Sequence, residues 1–547
     1  FLSIFLPIFL FFPRDFALFF TSSSPPMPSI FLRNTATRSR QEFPPRSDFS
    51  AQNPVKIYSC GPTVYGAPHI GNLRSFFTAG LLGDLLRAQG YPVQHTINIT
   101  DVGHLTGDGD EGEDKLSVGA RREGKTAREI AEFYTQVFFE AIKKLHLHFD
   151  FFPRATAHID DQKNLVQSLI DRGFTYEIPD DGIYFDTSKF PGYGELLPPE
   201  HLAGIQSGAR IANSAKKNPT DFALRKFSPA GSQREMEREF QGKMGFPGRH
   251  LECSAMSRAT LGDRIDIHTG GIDHVPVHHT NEIAQSQCGF CDSHGAPIFA
   301  DDSQPRVKFR VHCQFLNIDS QKISKSLGNI VTLAELEEQG FAPEDLRMFF
   351  FQAHYRSFQD FTLENLRAAQ SRRKNLHKKI RTRLENPQIS QILASHNFSS
   401  PKFATQNSEQ ILAEISDPDL KKSFTKILQN FSDDLSTVAA ISEFQSEFLA
   451  HFDQHFAQIS ENPQNFQPKI LSFFTALARL DARLLKLDLF APTTPTEIPA
   501  EIRQLAEQRQ AARAARDFAR ADQLRDEIDA RGREILDTPD GFDITKK

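Results

Sequence analysis

Residues 55–99 read VKIYSCGPTVYGAPHIGNLRSFFTAGLLGDLLRAQGYPVQHTINI. The pattern predicts a short strand over Val55 to Ser59, a loop at Gly61-Pro62, and a helix over Ile70 to Gln89 with Leu81, Leu82, Leu85 and Leu86 on one face. A second strand follows over Pro92 to Ile99. Strand, Gly/Pro loop, helix and strand make a βαβ unit, which implies a parallel sheet with ligands at its carboxyl edge. The loop ends in Pro68-His69-Ile70-Gly71-Asn72. A helix start offers unpaired N–H groups and a partial positive charge, so it holds phosphates. Gly71 lets a nucleotide approach the backbone closely, and His69 can donate a hydrogen bond to a phosphoryl group as its charge grows.

Outward from this unit, the Gly/Asp-rich stretch 101–125 reads as a loop, Arg128 to Leu147 as a helix, and residues 150–250 as a mixed insert. The sheet pattern returns at Arg264 to His268 and closes at Gly270-Gly271. Beyond Pro343 the periodicity is helical to about Asp529. The fold class expected is α/β: a Rossmann-like parallel-sheet catalytic domain with an insertion, then an α-helical bundle, then a small C-terminal unit. The divisions are 27–150 and 251–340 for the two catalytic halves, 151–250 for the insertion, 341–495 for the bundle and 496–547 for the terminal unit. In that unit Arg509, Arg513, Arg516 and Arg520 fall at spacings of four, three and four, one basic stripe that serves either as a solvated face or as a polyanion contact.

The 547 residues allow three or four domains at about 150 residues each. With 39% apolar and 24% charged residues, disordered, collagen-like and coiled-coil classes are excluded. The net charge of -6 excludes a uniformly basic nucleic-acid coat but leaves room for a local patch. Five Cys are too few for a disulfide scaffold and point to a reducing cytoplasm. Phe1 to Phe20 is apolar, but Pro7, Pro13 and Arg14-Asp15 interrupt it below the roughly 20 residues a membrane span needs. Residues 1–26 are therefore read as translated upstream sequence ahead of Met27, and no membrane role is expected. One count is odd: the chain has 50 Phe and no Trp.

The partner of the His69 loop lies 253 positions later, in Lys322-Ile323-Ser324-Lys325-Ser326-Leu327-Gly328-Asn329. Two lysines three apart in a Ser/Gly-rich loop can set two ammonium charges on a triphosphate. A His-Ile-Gly-Asn helix start in the first βαβ unit and a Lys-Ile-Ser-Lys-Ser loop after the last together resemble class I aminoacyl-tRNA synthetases. A third cluster bears on the amino acid. Cys60 ends the first strand, Cys253 follows His250-Leu251-Glu252, and His278 and Glu282 are four apart on a helix. Two thiolates, an imidazole and a carboxylate suit zinc. Cys288, Cys291 and His294 form a competing motif that lacks one ligand.

From about Ile30 to the end the chain resembles the cysteinyl-tRNA synthetases. The resemblance is carried by Ser59-Cys60-Gly61-Pro62-Thr63-Val64-Tyr65, Asn98-Ile99-Thr100-Asp101, Leu251-Glu252-Cys253-Ser254-Ala255-Met256-Ser257, Gly270-Gly271-Ile272-Asp273 and His278-His279-Thr280-Asn281-Glu282-Ile283-Ala284-Gln285, in that order. Ala519-Arg520-Ala521-Asp522 and Asp537-Thr538-Pro539-Asp540-Gly541 resemble the family's terminal segment. The resemblance implies one zinc ion on Cys60, Cys253, His278 and Glu282, with Thr100 beside the bound cysteine. It implies that His69, Lys322 and Lys325 are catalytic and that Asn72, Gly271 and Asp273 serve ATP, with Mg²⁺. Arg249 stands where the family puts an aromatic wall against the cysteine. The implied activity is ligation of L-cysteine to tRNA(Cys) through a cysteinyl adenylate, by a cytoplasmic monomer whose bundle and terminal anticodon-binding unit hold the tRNA. Zinc, by taking the substrate thiolate, would separate cysteine from serine better than the roughly 1 to 3 kcal/mol an apolar pocket gives between close analogues.

The alternatives are a ligase of the same core that joins cysteine to an amino sugar, and a non-catalytic RNA-binding paralogue. The family pattern has Glu where Thr280 stands and Met where Ile323 stands. It also commonly has Trp where this chain has Arg128, Arg225, Arg238, Arg249 and Arg310. Arginine at all five points to an Arg codon that is read as Trp in the source organism.

Overall fold

The computed structural model describes residues 27–102, 119, 121, 123–197, 215–228, 237–299, 305–323, 329–393, 407–459, 463–490, 499–538 and 541–546. Residues 1–26, most of the 101–125 loop and Lys325 lie outside the described residues. Val55–Ser59 (β1), Ile70–Ala88 (α1) and Val93–Ile97 (β2) form the βαβ unit read from the sequence. After the insert come Arg249–Leu261 (α2), Ile265–Gly271 (β3), Thr280–Gly289 (α3) and Val307–Cys313 (β4). The four strands make one parallel sheet in the order β4-β3-β1-β2. The chain leaves β1 for β2 on one side, whereas β3 pairs with β1 on the other, so the crevice beyond the ends of β1 and β3 is the topological switch point.

The leucine face expected on α1 is only part of its burial. Gly71, Asn72, Ser75 and Arg87 alone escape it, because the sheet covers one side and the helices after Pro343 cover the other. Phe77 packs its ring 5.3 Å from that of Phe350 and 5.2 Å from that of Phe351. Arg74, buried in the same helix, donates to the carbonyls of Gln314, Phe315, His354 and Ser357 at 2.8–3.1 Å. Four carbonyls satisfy a guanidinium that has no carboxylate beside it among the described residues, and they fix α1 to the segment after β4.

That segment forms a small sheet. Leu316–Ile318 (β5) pairs antiparallel with Gln321–Lys322 (β6) and parallel with Gln359–Phe361 (β7). Thr362 then caps Leu363–Leu384 (α4), its hydroxyl accepting from the Asn365 N–H. Further helices run to Leu485, where Arg347 donates to the carbonyls of Leu484 and Leu485 and also to that of Leu145. Lys486, in a left-handed turn, reaches Asp84 of α1 at 2.5 Å. No helix among the described residues is long and apolar enough to cross a membrane.

The insert holds the helix Ile159–Asp171 and a five-stranded antiparallel sheet, with a hydrophobic core of its own that takes in Leu251 of α2 and Phe290 after α3. The terminal unit pairs helices Ala500–Ala514 and Phe518–Ala530 with a hairpin, Arg533–Thr538 and Gly541–Lys546. The single arginine stripe expected there is broken. Arg509 is buried, and Arg516 (φ 60°) lies in the turn between the two helices, so Arg513 and Arg520 fall on different helices.

His95 on β2 is sealed behind the sheet, its Nε2 2.8 Å from Ser59 Oγ. Burial, reinforced by Arg87, pushes its pKa down to about 3. The unfolded chain takes up this proton near pH 6.5 and the folded chain does not, so the folded state loses stability as pH falls from about 6.5 toward 3. His95→Gln is expected to move the acid-unfolding midpoint, followed by circular dichroism, to lower pH; an unchanged midpoint would contradict the assignment.

Candidate functional site

The switch point gathers side chains from three directions. Cys60 follows β1, and its N–H donates to the Thr269 carbonyl on β3. Gly61 comes next because nothing larger fits: a Cβ there would lie 1.7 Å from the Asn98 carbonyl oxygen. Its N–H donates to Asn98 Oδ1, and Asn98 Nδ2 donates to Thr100 Oγ1, which sets Thr100 at the edge of the crevice. The second turn of α2 presents Cys253. A π-helical turn, Val275–His279, then runs into α3, so that His278 comes from the widened turn and Glu282 from the helix proper.

Ligand atoms of Cys60, Cys253, His278 and Glu282 all lie within 4.8 Å of one another. Cys60 Sγ is 4.0 Å from Glu282 Oε1, and His278 Nε2 is 2.9 Å from the same oxygen. His278 Nδ1 faces His250 Nδ1 at 2.7 Å, which aims Nε2 at the cluster. An overlapping group, Cys60, His268, His279 and Glu282, shares two of these residues. His268 Nε2 holds Glu282 Oε2 at 2.8 Å, while His279 Nδ1 is tied at 2.7 Å to His312, which is tied in turn to Thr35.

The electrostatics distinguish the two groups. The hydrogen bond from Cys60 brings the Cys253 thiol down to about 7 against the effect of burial, with His278 helping. Burial raises Cys60 well above the usual thiol value. Burial also pushes against ionised Glu282, but His268 and His278 hold it well below the carboxylate range. His278 itself rises to about 10: burial opposes the charge, and Glu282 with Cys253 outweighs burial. A closed pocket whose anions keep a proton on His278 is one that favours a cation, and the two-thiol donor set fits a soft divalent metal. Burial and neighbouring histidines push His279 well below its usual value, so the second group lacks that pull.

The second group of expected residues lies at the start of α1. His69 is its N-cap, with Nδ1 accepting from the Asn72 N–H at 3.2 Å while Asn72 Oδ1 accepts from the His69 N–H. An accepting Nδ1 puts the proton of a neutral ring on Nε2, which is then a donor. A Cβ at Gly71 would meet Ile323 at 2.9 Å, and the Ile70 N–H donates to the Val331 carbonyl. Both flanks of the 324–328 loop therefore rest on this helix start. Gly271 ends β3, where a Cβ would lie 2.3 Å from Asp273 Oδ1 and 3.8 Å from Ser75 Oγ of α1. The backbone of Lys322 is fixed in β6 opposite Asn317; the Lys322 side chain and Lys325 lie outside the described residues.

The competing cysteine motif does not converge. Burial drives Cys288 up to about 12, Cys291 lies 3.6 Å from Ser168 Oγ, His294 is exposed, and none of the three joins a donor group among the described residues. Of the five arginines at unusual positions, Arg128 and Arg238 are exposed, and Arg249 stands at the first turn of α2, its charge felt by Tyr65. Arg225 is buried, with Nε unpaired. Arg310 is buried on β4 with Nη1 unpaired, close enough to Glu282 and Cys60 for its charge to register on them. The sequence reading gave no site role to Asn98, His250, His268, His279 or His312. The signal was there in part: His268 and His312 precede the ends of β3 and β4, the edge where ligands bind.

Residues 47–371 match the family model described as tRNA synthetases class I (C) catalytic domain. The chain is 37% identical over 489 residues to "Cysteine--tRNA ligase 1" of Burkholderia lata, covering 89% of this chain and 91% of that protein. It is 37% identical over 526 residues to "Cysteine--tRNA ligase" of Novosphingobium aromaticivorans, covering 94% and 97%. Its fold is similar to that of Mycobacterium tuberculosis methionyl-tRNA synthetase in complex with methionyl-adenylate, at a TM-score of 0.51 and 14% identity over 81% of this chain and 92% of that one. It is also similar to the LeuRS of a ternary complex, Agrobacterium radiobacter K84 agnB2 LeuRS-tRNA-LeuAMS, at a TM-score of 0.54 and 11% identity over 80% and 85%. Identity of this extent over nearly the whole chain leaves one assignment: the chain belongs to the cysteine--tRNA ligase family of class I tRNA synthetases.

Proposed function

We infer that the chain ligates L-cysteine to tRNA(Cys) at the expense of ATP, through a cysteinyl adenylate. The observation that carries this reading is the convergence of Cys60, Cys253, His278 and Glu282 at the sheet's switch point, beside a helix start capped by His69. A zinc ion held by those four residues would supply a soft cation that a cysteine thiolate binds and a serine hydroxyl does not. Thr100 borders the same crevice and orients the amino acid. Its carboxylate oxygen attacks the α-phosphorus, forming a C–O–P link as the bond to pyrophosphate breaks. His69 Nε2–H donates to a phosphoryl oxygen as charge grows there, and the unpaired N–H groups of α1 lie beside it. Lys322 and Lys325 neutralise the departing pyrophosphate, and Gly271 and Asp273 bound the nucleotide. A ribose hydroxyl at the tRNA's 3′ end then attacks the carbonyl carbon and AMP leaves. The bundle, 341–495, and the terminal unit, 496–547, hold the tRNA.

ATP–pyrophosphate exchange tests the first step. Cysteine is expected to drive exchange and serine is not, while Lys325→Ala slows it by about 100-fold or more with the cysteine KM nearly unchanged. Exchange driven equally by serine, or left intact by Lys325→Ala, would overturn the respective role.

Elemental analysis tests the metal. The purified chain is expected to hold about one zinc ion, and Cys253→Ser to lose most of it and to lose preference for cysteine over serine. Zinc retained by both Cys253→Ser and Cys60→Ser would remove these residues from the site.

The five arginine positions carry a third expectation. A buried guanidinium nitrogen without a hydrogen-bonding partner is costly, and Nη1 of Arg310 and Nε of Arg225 are so placed. Peptide mass spectrometry of the protein from its source organism is expected to read tryptophan at positions 225 and 310. Arginine at both would establish the substitutions as real.

A further inference from the structure

We propose that His146, Glu344 and Asp488 form a second, open cation site, far from the thiol cluster in sequence and donor type, that takes a divalent transition ion such as zinc. The proposal goes beyond the ligase reading and does not depend on it. Ligand atoms of the three residues lie within 4.8 Å of one another. His146 Nε2 is 3.1 Å from Glu344 Oε1 and 3.8 Å from Asp488 Oδ2. An ion about 2.0–2.2 Å from each donor spaces its ligand atoms by roughly 3.0–3.6 Å, so small side-chain rotations seat it.

The backbone sets each donor in place. His146 stands just past the helix Ala127–Lys144 in a left-handed turn (φ 53°); its N–H donates to the Lys143 carbonyl and its own carbonyl accepts from Lys486. Glu344 lies in the first turn of the helix Pro343–Phe351. Asp488 is left-handed as well (φ 54°), and the N–H groups on either side of it, of Leu487 and Leu489, both donate to the buried carboxylate of Asp481. Residues other than glycine keep such a conformation where their surroundings hold them in it. Arg347 ties the same three segments together, since its own helix begins at Pro343 and it donates to the carbonyls of Leu145, Leu484 and Leu485. An ion at the cluster would fasten this joint from its outer side.

Charge and donor type select the ligand. Neither carboxylate is paired with a lysine or arginine among the described residues, and His146 is the one group they share. Nearby cations are spent elsewhere: Lys486 on Asp84, and Arg373 on Asp345. Two carboxylates on one imidazole leave negative charge unanswered, and a divalent cation answers both at once. One nitrogen and two oxygens suit zinc or manganese better than calcium or magnesium, which prefer oxygen alone. A cavity of about 510 Å³ lined in part by His146, Asp481 and Asp488 opens on the cluster, which gives water access to the remaining coordination positions. The site is therefore an exchangeable one, unlike the closed thiol cluster.

The test is elemental analysis of the full chain after dialysis against micromolar zinc, beside His146→Gln/Asp488→Asn and, as a separate variant, Glu344→Gln. The unmutated chain is expected to hold about one zinc ion more than either variant, and to lose that ion on a chelating resin. Cys253→Ser removes a different ion, the one that survives the resin. Zinc added back to the resin-treated chain should raise its thermal unfolding midpoint by about 3 °C or more, and those of the two variants by less than about 1 °C. Cysteine-dependent pyrophosphate exchange should stay within about twofold in both variants, which shows that they are folded. Equal zinc content in the dialysed chain and both variants would overturn the proposal and leave His146 as the shared partner of an ion pair. Absence of cysteine-dependent exchange in the unmutated chain would instead overturn the ligase reading, with the zinc difference still deciding this one.

Discussion

Burying two thiols and a carboxylate in one closed pocket creates a demand for positive charge, and much of the catalytic domain is arranged around that demand. Without a counter-charge such a cluster would protonate or spread apart. Here the proton on His278 meets the demand, and a metal ion would meet it better. Close packing follows from the same requirement. Gly61 is glycine because the Asn98 carbonyl, just past β2, lies where a Cβ would stand, and Gly270 because any Cβ would meet His274 at 2.7 Å. Burial pushes His268, His279 and His312 below their usual value; His268 orients Glu282, and His250 faces Nδ1 of His278.

The body of α1 ties the His69 cap to the segment that follows β4. Its first turn bears His69 and Asn72; its second bears Arg74, whose four carbonyl contacts fix the chain between β4 and β7. That chain includes β6 and the start of the lysine loop. The cap at His69 has two consequences at once. It ends the helix cleanly, and it fixes which ring nitrogen of a neutral His69 carries a proton, so one local interaction sets both backbone geometry and the direction in which the ring donates. A cap reading and a catalytic reading of this histidine are therefore not rivals.

The βαβ unit was legible because Val55–Ser59 and Val93–Ile97 are short runs rich in β-branched and aromatic residues bounded by Gly and Pro, and the helix between them is long. The thiol cluster was legible as residue types but not as geometry. Cys60 and Glu282 are 222 positions apart, and only the parallel pairing of β1 with β3 brings them together. The histidines behind them were missed because a strand buried on both faces gives no alternation to read, and His268 passes for a core residue. The arginine stripe of the terminal unit misled for the opposite reason. Spacings of four, three and four are helical, but Asp517 caps a new helix and Arg516 takes the left-handed turn, which equal spacing cannot reveal.

Charge also bears on the missing tryptophans. Arg74 and Arg347 are as deeply buried as Arg310, yet each has carbonyls placed to receive it. A fold that positions so many acceptors around two buried guanidiniums and none at Nη1 of a third is not shaped for a cation at the third site. Arg310 sits among His268, His279 and His312, and its charge lowers each of them further. It thus adds positive charge where the histidines already sit, while its charge also reaches Cys60 of the donor set. A flat aromatic ring with a single N–H would leave fewer donors unpaired in the same space, and the histidines would keep their neutral, orienting role without it.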